Sequence, residues 1–102
     1  MMAAPRLDPV IHAPVRLQVC ALLSAVDEAE FAVIREETEV SDSVLSKHVK
    51  QLEEAGYLRM RKAVVASRQR TWLSLTRAGR AAFKAHMAEL QGLAASARLA
   101  AE

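Results

Sequence analysis

The hydrophobic period changes twice along the chain. Up to Gly56 the apolar residues recur three and four positions apart, between Tyr57 and Leu75 they alternate, and after Thr76 the helical spacing returns. The first block predicts a short turn at residues 9–12, where Asp8-Pro9 offers a capping residue before a proline, and then a helix over 14–26. Its stripe is Val15, Val19, Leu22, Leu23 and Val26, extended backwards by Ile11, with Cys20 on the flank as a small semi-buried residue. Asp27-Glu28-Ala29-Glu30 fits a capping box and opens a second helix over 28–37 that buries Phe31, Ile34 and Ala32. Thr38-Glu39-Val40 forms a turn without glycine, with Val40 turned into the core. Ser41 caps a third helix that stops at Gly56, a residue free to take positive φ. On that helix Val44, Leu45, Val49, Leu52 and Ala55 fall on one side, while Ser43, Ser46, Lys47 and Lys50 crowd the other.

The alternating block predicts two half-buried strands. Leu58, Met60 and Val64 face one way and Arg59 and Arg61 the other; Leu73 and Leu75 mark the second strand, and residues 65–70 form the loop between them. Thr76 then caps a last helix over 77–100. Its apolar positions Phe83, Met87, Leu90, Ala94 and Ala97 step by four, three, four and three, with Leu93 beside the seam. That stripe runs further than a small three-helix core can cover, so its distal half is expected to be a dimer surface. The fold class predicted is mainly α with a small β-hairpin, in the order α-α-α-β-β-α. It is a single domain over 1–102, with a flexible arm at 1–7, a helix-turn-helix at 28–56, a hairpin at 57–75 and a long C-terminal helix.

Composition narrows the function. The formal charge is only +2, but three basic residues face seven acidic ones in residues 1–40, and ten face three in residues 41–84. A basic middle behind an acidic front is the footprint of a polyanion binder rather than of a uniformly sticky protein. Arg59, Arg61, Lys62, Arg68 and Arg70 make the hairpin far more basic than a core hairpin requires. The single cysteine excludes an internal disulfide and a cysteine metal pair. His12, His48 and His86 are too widely spaced for a local metal signature, although His12 and His86 would approach if the first and last helices packed together, with Glu89 adding a carboxylate. No nucleophile–base pattern and no phosphate-cradling glycine loop is present, so neither an enzyme nor a cofactor is expected. No apolar run reaches the ~20 residues of a membrane span and no signal sequence opens the chain, which predicts a cytoplasmic protein without membrane contact.

A helix with one apolar face and one face of hydroxyls and ammonium groups can be held by a core while it offers donors to a DNA major groove. The run Val44-Leu45-Ser46-Lys47-His48-Val49-Lys50-Gln51-Leu52-Glu53-Glu54-Ala55-Gly56-Tyr57-Leu58 resembles the recognition-helix signature of the MarR and ArsR regulators. Ile11-His12-Ala13-Pro14-Val15-Arg16-Leu17 and Leu75-Thr76-Arg77-Ala78-Gly79-Arg80 are similar to a compact MarR-like group of winged helix DNA-binding domains. The resemblance implies a dimeric winged helix-turn-helix regulator, usually a repressor, on a pseudo-palindromic operator in double-stranded DNA. By position it implies that Asp42, Ser43, Ser46, Lys47 and Lys50 face the major groove and that Arg68 and Arg70 lie on the wing, where Arg59 and Arg61 add to the basic surface. ArsR relatives often sense metals through cysteines in the third helix; none stands there in this chain. A small-molecule effector would have to sit between the dimer helices and the DNA-binding lobe, lined by Leu17, Leu90 and Leu93. The competing reading is a winged helix that docks proteins, against which the arginine-rich hairpin weighs, since interface cores are depleted of charge.

Overall fold

The computed structural model describes residues 4–101. Four helices and three strands follow one another as α1 (Pro14–Ser24), β1 (Ala29–Glu30), α2 (Phe31–Thr38), α3 (Asp42–Glu54), β2 (Leu58–Val65), β3 (Arg68–Leu75) and α4 (Arg77–Ala101). The sheet is antiparallel throughout, in the order β1-β3-β2. The helices bring Val19, Cys20, Leu23, Ile34, Leu45, Val49 and Leu52 onto the sheet's inner residues Leu58, Leu73 and Leu75, and Ile11 closes the core from the turn before α1. The helical spacing and the alternation in the sequence therefore meet in one apolar cluster.

The helix boundaries follow the local chemistry where a side chain caps them. The Ser41 hydroxyl accepts the Val44 amide at 3.2 Å, Gly56 takes φ +80 after α3, and the Thr76 hydroxyl accepts the Gly79 amide at 3.0 Å at the start of α4. A cap of this kind contributes about 1 kcal/mol. At the end of α2 the missing glycine is replaced by Glu39, which itself turns left-handed at φ 56. Gly79 is required for a different reason. A Cβ there would stand 2.0 Å from the Tyr57 carbonyl oxygen, so the first turn of α4 lies directly on the backbone that leaves α3.

Four expectations change. The capping box at residues 27–30 does not form: α2 starts at Phe31, and its N-cap Glu30 makes no side-chain cap bond. Instead Ala29 and Glu30 pair with Leu73 and Trp72 as a third strand, whose backbone bonds to β3 outweigh the local capping pattern. The hairpin keeps its predicted span, but its strands are longer and its loop shorter than predicted. Its strands are eight residues each, and the connection is only Ala66-Ser67, both at positive φ (51 and 64), the mirror-image turn that matches strand twist. Val44 is 41% exposed and Val64 74% exposed, so neither holds its element down; Ala32, Ala55 and Val26 are exposed as well. Lastly, α1 ends at Ser24.

The segment before α1 is tied down rather than loose from Arg6 onward; residues 1–3 of the predicted arm lie outside the described residues. Asp8 is its hub. Its carboxylate accepts the Val10 and Ile11 amides at 2.9 and 3.3 Å and the Tyr57 hydroxyl at 2.6 Å, while its own amide donates to His86 Nδ1 at 3.1 Å. Because His86 Nδ1 accepts, its Nε2–H points to His12 Nδ1 at 3.0 Å. The predicted meeting of these two histidines thus occurs, as a hydrogen bond. The Glu89 carboxylate accepts the Arg6 amide at 3.3 Å. Among the described residues no group of three or more His, Cys, Asp and Glu could hold a metal ion, and no helix is long and apolar enough to cross a membrane.

Candidate nucleic-acid interface

Two basic surfaces flank the core, one on α3 and one on the hairpin. On α3 the buried side is Leu45, Val49 and Leu52, a four-then-three spacing that anchors one stripe. The opposite stripe, Ser43, Ser46, Lys47 and Lys50, is exposed. Among the described residues no side chain or backbone group holds either ammonium, so both are free to reach outward. Asp42 behaves otherwise. Its carboxylate pairs with Arg35 Nε at 3.0 Å and so fastens the start of α3 to α2 while remaining open to solvent. His48 turns inward toward Arg16, whose Nη1 lies 3.1 Å from His48 Nδ1 and 2.5 Å from Gln51 Oε1. Burial, and then the Arg16 and Lys47 charges, push the imidazole below its ordinary pKa against a weaker pull from Gln51. It therefore carries no charge toward a polyanion at neutral pH. Arg16 also donates to the Val10 carbonyl, so this arginine clamps α1, α3 and the N-terminal turn together.

Strand register explains the second surface. Arg59 stands opposite Ser74, Arg61 opposite Trp72, Ala63 opposite Arg70 and Val65 opposite Arg68, while Glu30 on β1 stands opposite Trp72 from the other side. Directly paired residues share a face of the sheet. Arg59, Arg61, Arg68 and Arg70 therefore stand with Trp72 on the outer face, away from Leu58, Leu73 and Leu75. The four arginines are not equivalent. Arg61 is bound to Glu28, with Nη2 at 2.6 Å from Oε1 and Nε at 3.4 Å from Oε2, and its guanidinium lies 5.6 Å from the Trp72 ring centroid. Arg70 sends Nη1 to both oxygens of Glu30, at 2.8 and 3.0 Å, and its Nε is buried without a partner. Arg59, Arg68 and Lys62 are exposed and hold no partner among the described residues. An open groove of about 480 Å³ runs between the hairpin and the start of α2, lined by Glu30, Phe31, Ala32, Arg68, Gln69, Arg70 and Thr71.

Sequence reasoning thus found the cations but missed their partners. Glu28 and Glu30 look like a capping pattern, and only the pairing of a two-residue strand with β3 reveals that they face the hairpin. The available signal was the spacing of two between Glu28 and Glu30, which also places both residues on one strand face.

The elements, the exposed α3 stripe and the basic hairpin at its side are those of a winged helix. A family model described as "Winged helix DNA-binding domain" matches residues 15–94. The chain is a member of that family. The uncharacterized protein MJ0432 of Methanocaldococcus jannaschii is 33% identical over 81 residues, spanning 79% of this chain and 88% of that protein. Among solved structures, the transcriptional regulator homologue protein of Pyrococcus horikoshii OT3 superposes with a TM-score of 0.80 at 25% identity, over 85% of this chain and 86% of the other. A MarR-family transcriptional regulator from Silicibacter pomeroyi shares the fold, with a TM-score of 0.65 at 24% identity over 81% of this chain and 55% of that one. The protein is a DNA-binding regulator of the winged helix type rather than an enzyme.

Proposed function

We propose that the chain represses transcription as a homodimer bound to a pseudo-palindromic operator. The observation that carries the reading is the division of α3: Leu45, Val49 and Leu52 are buried while Ser43, Ser46, Lys47 and Lys50 are exposed, and of these four only Ser43 has an internal partner among the described residues, the Ser41 hydroxyl at 3.2 Å. Such a helix enters a major groove as a rigid body, with its two lysines displacing condensed counterions or donating to guanine edges. Arg68 and Arg59 add backbone contacts from the wing, Arg68 beside the turn at its tip. Asp42, Arg61 and Arg70 serve the same surface from within ion pairs.

Dimerisation is supported by α4. Its 25 residues extend about 37 Å, and beyond the core Leu93, Ala94 and Ala97 are exposed in line with half-buried Phe83, Met87 and Leu90. Two recognition helices related by such a seam would meet successive major grooves ~34 Å apart, and occlusion of a promoter would follow. An apolar effector would enter beside the same seam, near half-buried Leu17 and Leu90 and exposed Leu93.

Selection of bound sites from a random duplex pool tests the reading and should yield a two-fold symmetric consensus. On the selected site, affinity should fall steeply with salt. The double substitution Lys47→Ala and Arg68→Ala should lower the slope of log K against log salt by roughly two, since each lost phosphate contact removes about 0.9. An unchanged slope would remove both residues from the interface.

A further inference from the structure

The wing carries an acidic brace that a DNA-binding surface has no electrostatic reason to keep. Glu28 and Glu30 lie at the edge of the basic outer face, where each adds repulsion toward phosphates. Neither is held there by capping, because α2 starts without a side-chain cap bond. Both carboxylates instead reach across the sheet. Glu30 is the β1 partner of Trp72 and grips Arg70 from both oxygens, while Glu28 grips Arg61, which lies over the Trp72 ring. The two bridges start from the residues immediately before α2 and end on β3 and β2, so they join the helix-turn-helix to the wing.

We propose that Glu28 and Glu30 are positioning residues for DNA recognition: through Arg61 and Arg70 they fix the angle of the wing against the recognition helix, and Arg61 and Arg70 are themselves braces rather than phosphate contacts. Two features support fixation over simple charge masking. The Glu28–Arg61 contact is two-point, through Nε and Nη2, which sets orientation as well as distance, while Arg70 Nη1 is held between both oxygens of Glu30. The Arg70 Nε is also buried, so this side chain cannot swing out to a phosphate without opening the groove it lines. A wing of eight-residue strands linked to the rest of the sheet through β3 alone has a long lever arm, and pre-set geometry improves the fit to one duplex shape more than to duplex DNA in general. The proposal rests on the DNA-binding reading above.

The test uses the full chain, a duplex site selected by the wild-type protein and a random duplex of equal length. Glu28→Gln with Glu30→Gln removes two negative charges and keeps side-chain volume. Simple electrostatics predicts tighter binding to both duplexes. The brace predicts the opposite for the selected site, a loss of roughly tenfold, the scale of one lost recognition contact, with random-duplex binding unchanged or tighter. Amide hydrogen exchange at residues 62–70 of the free protein should quicken in the same variant while exchange in α1 and α3 stays as it was. The swap Glu30→Arg with Arg70→Glu, tested alone, should keep most of the selectivity, because it re-forms the bridge at constant net charge. Equal tightening on both duplexes, unchanged exchange in the wing, or loss of all binding in the swap would each overturn the proposal, the last by making Arg70 a direct contact. Should the wild-type protein prefer no duplex, the regulator reading fails first and the functional half of the brace falls with it; wing exchange still reports whether the bridges fix the hairpin.

Discussion

Over its first three turns α4 is gripped on several sides, whereas its last three turns touch little of their own chain. At the near end Thr76 caps the helix, Gly79 lies on the Tyr57 carbonyl, and His86, 1% exposed, is bound between the Asp8 amide and His12. At the far end Leu93 and Ala97 are exposed and Leu99 is 72% exposed. Helix propensity does not account for the contrast, since alanine is plentiful in both halves. What differs is the partner: the near half is specified by contacts within the chain, and the far half leaves apolar residues exposed, the seam proposed above for a second copy. Stability and assembly should therefore separate along one helix.

The largest break in that contrast is Gly79→Ala. Its methyl group would overlap a backbone oxygen that cannot move without shifting Tyr57 and the end of α3, so a loss of about 3 kcal/mol or more is expected. Chemical denaturation should read it as a lower midpoint or failure to fold. His86→Ala comes next. It opens a cavity and orphans the Asp8 amide and a His12 ring nitrogen, costing about 2–4 kcal/mol by the same measurement.

Acid should act on the same contacts more gently. Burial, then the nearby His12, hold His86 below its ordinary 6.5, with Asp8 opposing. The unfolded chain then binds a proton more readily than the folded one, so stability is complete above about 6.5 and falls as pH drops below it. Burial works against the Asp8 carboxylate, but the Tyr57 hydroxyl, the two amides and His86 outweigh it and hold its pKa below 3.8. Its contribution is present above that value and is lost at lower pH, a second and later step. Denaturant midpoints measured from pH 8 to pH 3 should fall in that order, and His86→Gln should shrink the first step to the share of His48, whose imidazole is also held below its ordinary pKa.

Thr76→Ala removes the cap and should cost about 1 kcal/mol. The smallest change in monomer stability belongs to the far end. Leu93→Glu is expected to leave the denaturation midpoint within about 0.5 kcal/mol while shifting sedimentation equilibrium toward monomer. A large stability loss without a change in mass would place that face inside the fold and erase the contrast.

The same contrast marks what the sequence made legible. Elements held by local chemistry were readable in advance: the caps Ser41 and Thr76, the stop at Gly56, and the buried stripe Leu45, Val49, Leu52 with Lys47 and Lys50 opposite. Features that depend on a distant partner were not. β1 is two residues long and has no period of its own; it exists because β3 offers an edge. The Ala66-Ser67 turn carries neither glycine nor asparagine and is fixed by the register of the strands on either side. The predicted interface cations separate in the same way, since nothing in the spacing of Arg61 and Arg70 distinguishes them from Arg59 and Arg68 until Glu28 and Glu30 are placed.

Cys20 lies at the centre of the fold, fully buried, and burial with the nearby Asp8 charge pushes its thiol up to about 11 against a weaker opposing effect of Arg16. As the sole thiol of the chain it cannot meet an alkylating reagent until the core parts. The protein thus carries an internal stopwatch. Labelling followed by intact mass counts openings one molecule at a time, and the rate with duplex present divided by the rate without it measures how far DNA holds the core shut.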